Sequence, residues 1–305
     1  VLSSYPPVQE AEVDKVLAEE IRDNEKKIVV LDDDPTGVQT VHDISVYTNW
    51  EKASIEQGFA EENKLFYILT NSRGFTAAQT EKAHKEIAEV VDQVAKETGK
   101  EYLFISRSDS TLRGHYPLET TILKDEYEKN TGKKIDGEVL CPFFKEGGRF
   151  TIDDVHYVQY DDTLVPAAET EFAKDKTFGY TVSNLKEYVE EKTQGAYKKE
   201  NVTAISLENI RELNYDKIEE QLLAVEDFNK VIVNAIDYVD VKIFCVALFR
   251  AMKKGKNFMF RTAAAIVKVM GGVSDQPLLT REQMVVKETD HGGIIVVGSH
   301  TDKTT

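Results

Sequence analysis

Short apolar runs alternate with amphipathic segments through the first half of the chain. Residues 27–31 form a β-branched run typical of a buried strand, and residues 76–98 place apolar side chains along one side of a helix. The same pattern predicts further strands at 43–48, 65–70, 102–106 and 137–141, and further helices at 8–25 and 117–130. Because strands that alternate with helices form parallel sheets covered on both faces, the sequence predicts a three-layer α/β domain.

The second half continues this alternation less regularly. Residues 142–184 have no clear period, and we interpret them as a loop or hairpin. Beyond them the pattern predicts helices at 184–193, 214–226, 239–253 and 258–270, and strands at 202–207, 230–234 and 294–297.

Polar, charged and glycine-rich segments follow several of the predicted strands. In open α/β sheets ligands bind outside the carboxyl ends of the strands, so side chains in these segments are expected to meet at one edge. The segments are 32–37, 70–74, 106–114 and 141–149. Their convergence predicts one binding site.

Asp32, Asp33 and Asp34 are three consecutive carboxylates beside a buried strand. Asp-Pro and Thr-Gly favour turns, and a single aspartate would suffice for a turn or a helix cap. Three adjacent carboxylates repel one another unless a cation, an arginine or a shared proton relieves them. The triplet therefore indicates a Mg²⁺ anchor, a general base or a group that holds a substrate hydroxyl.

Four arginines also fall in the post-strand segments: Arg73, Arg107, Arg113 and Arg149. The guanidinium fork matches the oxygens of a carboxylate or phosphate, so these arginines indicate recognition of a small acid. A structural alternative is that some of them neutralise the aspartates. Asp109, Ser110 and Thr111 offer a carboxylate and two hydroxyls that either cap a helix or orient the hydroxyls of a polyol.

Composition narrows the class of protein. A chain of 305 residues with 41% hydrophobic residues can bury large cores, about two domains by length. Its net charge of −16 argues against nucleic-acid binding. No apolar run reaches the roughly 20 residues of a membrane helix. With two cysteines and no basic region before an apolar start, we expect a cytoplasmic, reduced protein.

No phosphate-binding loop G-x-x-x-x-G-K-[ST] and no G-x-G-x-x-G after a strand occurs in the chain. Four other segments form a set: Asp33-Asp34-Pro35-Thr36-Gly37, Asn71-Ser72-Arg73, Asp109 to Gly114 and Gly148-Arg149. Of these, Asp109 to Gly114 is specific, and the others are weak signals singly. Together the four segments resemble the four-carbon acid sugar kinases, which phosphorylate sugar acids such as threonate, erythronate and 3-oxo-tetronate with ATP. The resemblance covers nearly all of the chain from residue 27, and residues 260–264 share it.

The resemblance implies an organisation and a reaction. Residues 1–26 would be a helical extension, 27–285 the sugar-acid-binding domain, and 286–305 the start of a second α/β domain that binds the nucleotide through Gly298 and Ser299. The cofactors implied are ATP and Mg²⁺, and the reaction is transfer of a phosphoryl group to the terminal hydroxyl of the acid. The binding partner that the resemblance implies is a small sugar acid. Whether the chain forms a homo-oligomer is left open.

The resemblance also assigns roles to the site residues. Asp33 or Asp34 would accept the proton or organise Mg²⁺, and Arg73 and Arg107 would hold the substrate carboxylate. The remaining residues would fix the hydroxyls or face the transferring phosphate: Asp109, Ser110, Thr111, Arg113 and Arg149. Many members of the family have lysine at the position of Arg107, so a lysine contact is not expected here.

The nucleotide domain would only begin near Thr305, so we expect the 305-residue chain alone to bind a sugar acid and to lack ATP turnover. A rival interpretation is a phosphatase of the haloacid dehalogenase type, because Asp32-Asp33-Asp34-Pro35-Thr36 fits D-x-D-x-T. Asp32 would then be the nucleophile and Asp34 an acid or base, with Asp153 and Asp154 as a further acidic pair. A third interpretation is a non-catalytic sugar-acid-binding protein.

Overall fold

The computed structural model describes residues 2–285. Residues 2–274 form one compact unit, and the described residues 275–285 belong to a second. Within its described part, 275–285, the second unit contains one short helix. The predicted strand at 294–297 and the residues Gly298 and Ser299 lie outside the described residues.

The first unit consists of strands and helices that largely alternate along the chain. The strands are β1 (Lys27–Asp32), β2 (Val46–Tyr47), β3 (Leu65–Leu69), β4 (Tyr102–Arg107), β5 (Gly137–Cys141), β6 (Arg149–Ile152), β7 (Val155–Tyr160), β8 (Thr163–Pro166), β9 (Thr203–Ile205), β10 (Asn229–Val233) and β11 (Phe258–Thr262). Its helices are α1 (Glu10–Asp23), α2 (Lys52–Ala60), α3 (Ala77–Thr98), α4 (Leu118–Thr131), α5 (Leu185–Lys192), α6 (Leu207–Arg211), α7 (Tyr215–Leu223), α8 (Tyr238–Lys253) and α9 (Ala264–Met270). The helix of the second unit is α10 (Arg281–Met284).

Eight of the strands form one sheet in the order β2-β3-β1-β4-β11-β5-β10-β9, and every neighbouring pair is parallel. Side chains of the central strands alternate between two buried clusters. Ile28 and Val30 of β1 pack with α1, α7, α8 and α9, whereas Val29 and Leu31 pack with α2, α3 and α4. The predicted three-layer α/β domain with a parallel sheet is therefore confirmed.

One prediction of secondary structure needs correction, and the structure adds elements that the pattern did not indicate. The segment 258–270, predicted as one helix, is strand β11 followed by helix α9. All residues of β11 are buried because it lies between β4 and β5 at the centre of the sheet. The predicted loop or hairpin at 142–184 contains the antiparallel sheet β6-β7-β8, and α2 is a helix that the pattern did not indicate.

Helix α1 is part of the first unit and packs along α8. Its apolar residues Val13 and Leu17 are buried in the core on that face of the sheet. Ion pairs link the two helices: Lys242 contacts Asp14 at 2.7 Å and Arg250 contacts Glu20 at 2.8 Å. Among the described helices, none is both long enough and apolar enough to span a bilayer.

Candidate functional site

The site lies where β1, β3, β4 and β11 end, at the carboxyl edge of the sheet. Parallel strands direct their following loops to the same edge, so segments that are distant in sequence meet there. Asp32 ends β1 and pairs in register with Leu69 of β3 and Arg107 of β4. Thr262 of β11 pairs with Arg107 from the other side. The predicted convergence of the post-strand segments is thus present.

Arg73 links two of the three aspartates. It follows β3 in a short 3-10 turn, and its Nε and Nη2 donate to the two carboxylate oxygens of Asp33 at 3.1 and 2.7 Å. Its Nη1 donates to Asp34. All three guanidinium nitrogens of Arg73 are therefore engaged by protein carboxylates, in the bidentate geometry that favours arginine over lysine.

Arg107 forms a buried ion pair with the remaining aspartate, Asp32. Its Nη2 donates to Asp32 and also reaches the backbone oxygen of Asp34 at 2.8 Å. The side chain of Arg107 is 5% exposed and that of Asp32 is 1% exposed, so this ion pair is buried. Gly37 packs against the pair so closely that a Cβ there would overlap Arg107 Nε and Asp32 Oδ2.

The loop after β4 presents the Asp109 carboxylate. Asp109 Oδ2 accepts hydrogen bonds from the Thr111 hydroxyl and from Arg113 Nε, the latter at 2.6 Å. Backbone oxygens of the loop are held from outside: the ring of His156 contacts Ser110 O at 2.7 Å, and the Tyr180 hydroxyl donates to Thr111 O at 2.8 Å. The loop is therefore fixed before any ligand binds.

A second pair of arginines borders this loop. Arg113 and Arg149 lie over the ring of Phe172, with their Cζ atoms 5.0 and 5.6 Å from the ring centroid. Arg149 begins β6, and its side chain folds back to donate to the backbone oxygen of Gly147. The antiparallel sheet thus supplies one wall of the site.

Three buried residues of the site were not singled out by sequence reasoning: Glu119, Arg261 and Phe172. Glu119, in the first turn of α4, accepts a hydrogen bond from Ser72 at 3.1 Å. Arg261 of β11 donates to the backbone oxygen of Arg113 at 2.7 Å. The family resemblance of residues 260–264 was a signal for Arg261, whereas Glu119 looks like an ordinary acidic residue at a helix start and Phe172 lies in a stretch without periodicity.

The pKa values of the aspartates Asp33 and Asp109 are shifted in opposite directions. Burial raises the pKa of Asp33 to about 7, with Arg73 opposing the shift and Glu119 adding to it. Burial also acts to raise the pKa of Asp109, but Arg73 and Arg113 outweigh it and hold that pKa well below its usual range. Asp33 is therefore close to its protonation midpoint at neutral pH, while Asp109 is ionised.

The aspartate triplet has the donor chemistry of a hard-cation site. Asp32, Asp33 and Asp34 each place one carboxylate oxygen within 4.8 Å of the others. In the described part of the chain, Asp32 Oδ2 is buried without a hydrogen-bond partner. Carboxylate oxygens are the ligands that Mg²⁺ and Ca²⁺ prefer. The side chain of Asp34 is 20% exposed, so it is the member of the triplet that faces solvent most.

The structure brings the predicted site residues of the first unit to this one edge: Asp33, Asp34, Arg73, Arg107, Asp109, Ser110, Thr111, Arg113 and Arg149. Their assignment to catalysis or to substrate binding stays a prediction. Asp153 and Asp154, the acidic pair of the phosphatase interpretation, lie instead in the tight turn between β6 and β7.

A family model described as a sugar-binding N-terminal domain matches residues 28–270. The chain belongs to this family. The matched range includes every strand of the sugar-binding domain's parallel sheet apart from the first residue of β1. It also includes both arginine pairs and the aspartate triplet of the site.

Solved structures share the fold of this sugar-binding domain. One is a domain of unknown function, DUF1537, from Bordetella bronchiseptica, crystallised with bound citrate as a domain-swapped dimer; the TM-score is 0.57 at 19% identity, over 80% of this chain and 55% of that chain. Another is a Haemophilus influenzae protein of the DUF1537 family, with a TM-score of 0.55 at 16% identity, over 80% of this chain and 55% of that chain. The sugar-binding domain thus spans little more than half the length of these relatives. No curated protein matches the sequence.

Proposed function

We propose that this chain is the substrate-binding part of an ATP-dependent kinase that phosphorylates the terminal hydroxyl of a four-carbon sugar acid. Membership of the sugar-binding family supports a sugar ligand. The resemblance of the segments around Asp33, Arg73, Asp109 and Arg149 to the four-carbon acid sugar kinases supports the reaction. One structural relative was crystallised with citrate, which shares the carboxylate and hydroxyl chemistry of a sugar acid.

The kinase proposal depends on the position of Asp33 and on its raised pKa. Asp33 lies at the carboxyl edge of the sheet, held by the Arg73 fork, and burial raises its pKa to about 7. A general base works best when its pKa lies near the working pH. Phosphoryl transfer needs positioning, charge neutralisation and a proton acceptor for the attacking hydroxyl. Asp33 would be that acceptor, and Arg73 would keep its carboxylate oriented.

The residues beside Asp33 fit the remaining needs of the reaction. Asp109 Oδ2 is engaged by Thr111 and Arg113, which orients the carboxylate so that Oδ1 can accept hydrogen bonds from substrate hydroxyls. Ser110 and Thr111 lie in the same fixed loop. If these residues hold two hydroxyls of a polyol, the terminal hydroxyl of the same molecule can adopt only a few orientations.

The cofactors ATP and Mg²⁺ belong to the same proposal. The carboxylates of the triplet fit Mg²⁺ by donor type, and Asp34 would hold the ion because its side chain reaches solvent. Mg²⁺ held by these carboxylates would neutralise charge on the phosphates of the nucleotide. Gly298 and Ser299 are proposed to contact the nucleotide.

The test is phosphorylation of a panel of four-carbon acids, including threonate, erythronate and 3-oxo-tetronate, by the full-length protein with ATP and Mg²⁺. Asp33→Asn should lower kcat/KM by about 10²- to 10⁴-fold, the usual contribution of a general base. In the wild type, kcat/KM should fall as the pH drops below about 7, because protonated Asp33 cannot accept a proton.

A matched control for Asp33→Asn is Asp153→Asn, at an exposed aspartate in the β6–β7 turn. This variant should keep wild-type activity. No phosphorylation of any acid in the panel, or a fully active Asp33→Asn variant, would contradict the proposal.

The phosphatase alternative has less support from the geometry. The acidic pair of this mechanism would have to lie beside the aspartate triplet, yet Asp153 and Asp154 lie in the turn between β6 and β7. Asp154 pairs with Lys186 at 2.8 Å in the antiparallel sheet region. Phosphate release that is abolished by Asp32→Asn and unchanged by Asp33→Asn would establish the phosphatase mechanism instead.

A further inference from the structure

Phe172 lies against two guanidinium groups at the wall of the site. The phenylalanine is 4% exposed, and Arg113 and Arg149 both lie within 6 Å of its ring centroid. A guanidinium at this distance from an aromatic face is attracted by the ring quadrupole. Phe172 therefore contacts two positive charges that come from different segments, the loop after β4 and the start of β6.

The hydrogen bonds of this pair differ from those of Arg73 and Arg107. Arg73 donates from all three nitrogens to Asp33 and Asp34, and Arg107 is buried against Asp32. Arg113 binds Asp109 through Nε, and within residues 2–285 its two terminal nitrogens donate to no protein group.

Arg149 has no carboxylate partner in an ion pair among the described residues. Its one side-chain hydrogen bond in that part of the chain goes to the backbone oxygen of Gly147. Burial lowers the pKa of Arg149, although the nearby Asp109 carboxylate opposes the shift. A partly buried arginine of this kind is suited to bind an anion that arrives from solution.

Charge divides the site into two halves. In the first half, three carboxylates face two arginines: Asp32, Asp33, Asp34, Arg73 and Arg107. In the second half, a single carboxylate, Asp109, lies beside Arg113 and Arg149, and Arg73 of the first half also lowers its pKa. A sugar acid has the complementary polarity, with a carboxylate at one end and uncharged hydroxyls along the rest.

We propose that Arg113 and Arg149, aligned by Phe172, bind the carboxylate of the sugar acid, so that its hydroxyl end points to the aspartate half of the site. This inference rests on the proposed function. It reassigns the carboxylate contact that the sequence suggested for Arg73 and Arg107, which instead hold the aspartates. Phe172 is a positioning residue, because it acts through the two arginines.

The test compares threonate and erythronate with their carboxamides by calorimetry on the wild-type chain and on variants. The carboxamides keep the hydroxyls and lose the charge. Arg149→Gln should weaken binding of the acids by about ten- to a hundred-fold, the value of a charge-assisted hydrogen bond. It should leave binding of the carboxamides unchanged, so the preference for acid over amide should disappear.

Phe172→Leu should weaken binding of the acids by about two- to five-fold, the scale of a cation–π contact. The matched control is Phe228→Leu. Phe228 is 6% exposed and likewise contacts two cations. The Nζ atoms of Lys230 and Lys124 lie 3.4 and 5.7 Å from its ring centroid. Phe228 directly precedes β10, at the amino edge of the sheet. Its replacement by leucine should therefore leave the dissociation constants of the acids unchanged. A purely structural role of Phe172 predicts that both variants lower the melting temperature and that neither changes the acid preference.

The outcomes separate this inference from the proposed function. If the Arg149→Gln variant still prefers the four-carbon acids over their carboxamides as strongly as the wild type does, the inference is overturned and the kinase proposal stands. Other carboxylates such as citrate that bind in an Arg149-dependent way, with no binding of four-carbon acids, would support the anion site and overturn the kinase proposal. No binding of any carboxylate to the wild type would overturn both.

Discussion

Replacing Arg107 by leucine should destabilise the protein and leave ligand binding largely intact. The substitution removes the cation that faces Asp32, while Asp32 and Asp33 stay 1% and 3% exposed. Removal of one partner from a buried ion pair costs about 3–5 kcal/mol, because the remaining charge is buried and uncompensated. In a domain of this size, 1 kcal/mol corresponds to about 2–4 °C in the melting temperature. We therefore expect Arg107→Leu to melt about 6–20 °C below the wild type.

Thermal unfolding with and without saturating threonate tests this expectation. The Arg107→Leu variant should melt lower in both conditions and should keep the stabilisation by ligand, which is about 2.7 kcal/mol at a hundred times the dissociation constant. Asp32→Asn added to Arg107→Leu should recover part of the loss, since the uncompensated charge is then removed. The matched control is Arg22→Leu in α1, where the arginine side chain is 72% exposed and substitution should change little.

One result would refute the reasoning. A variant Arg107→Leu that melts like the wild type but loses the ligand-induced shift would mean that Arg107 contacts the ligand. The buried pair with Asp32 would then contribute nothing measurable, and the sequence-based assignment of the carboxylate contact to Arg107 would be supported.

Three further predictions follow from buried contacts. Gly37→Ala should destabilise by about 1–3 kcal/mol in urea unfolding, because its Cβ would overlap the Arg107 side chain. Burial lowers the pKa of His156 to about 4, below the ordinary value of 6.5, so the stability due to the neutral ring should be lost as the pH falls from about 6.5 to 4; urea unfolding across this range measures it. Glu138→Gln should lower the melting temperature, because Lys230, paired with Glu138 at 2.8 Å and 1% exposed, would be left without a counter-charge.

Each of these predictions has a control or a contrary outcome. Gly74→Ala is the match for Gly37→Ala, since nothing lies within 4 Å of a Cβ there, and it should be neutral. A His156→Gln variant should show a shallower loss of stability on acidification, and an unchanged pH dependence would refute the assignment to His156. If Glu138→Gln raised the melting temperature, the Lys230 amine would have to be neutral in the folded protein.

Local pattern was enough to predict the strands around the site but not their full order. Residues 27–31 and 102–106 are β-branched or aromatic runs bounded by polar segments, and the structure has β1 and β4 there. The run Phe258–Thr262 was predicted as helix because five apolar or large residues before a helical segment continue its pattern. Its strand conformation comes from pairing with β4 and β5, which no local pattern encodes.

The composition of the site was predicted better than its internal pairing. The four arginines and the aspartate triplet stand out in the sequence because several charged segments follow strands whose carboxyl ends meet at one edge of the sheet. Which arginine binds which aspartate depends on loop geometry: Arg73 reaches Asp33 from a 3-10 turn, whereas Arg107 reaches Asp32 from within β4. The position of Phe172 beneath Arg149 depends on the antiparallel sheet, whose strands carry weak sequence signals.

The central position of β11 has a consequence for the order in which the protein can fold during synthesis. Without β11, the sheet consists of two separate halves, β2-β3-β1-β4 and β5-β10-β9, with no direct pairing between β4 and β5. A nascent chain emerges from its amino terminus, so every other strand of the sheet leaves the ribosome before Phe258–Thr262 can join the halves. Until then both halves expose strand edges that can pair with other chains. A stalled or truncated chain that ends ahead of β11 would therefore be prone to aggregation, although it carries most of the residues of the site.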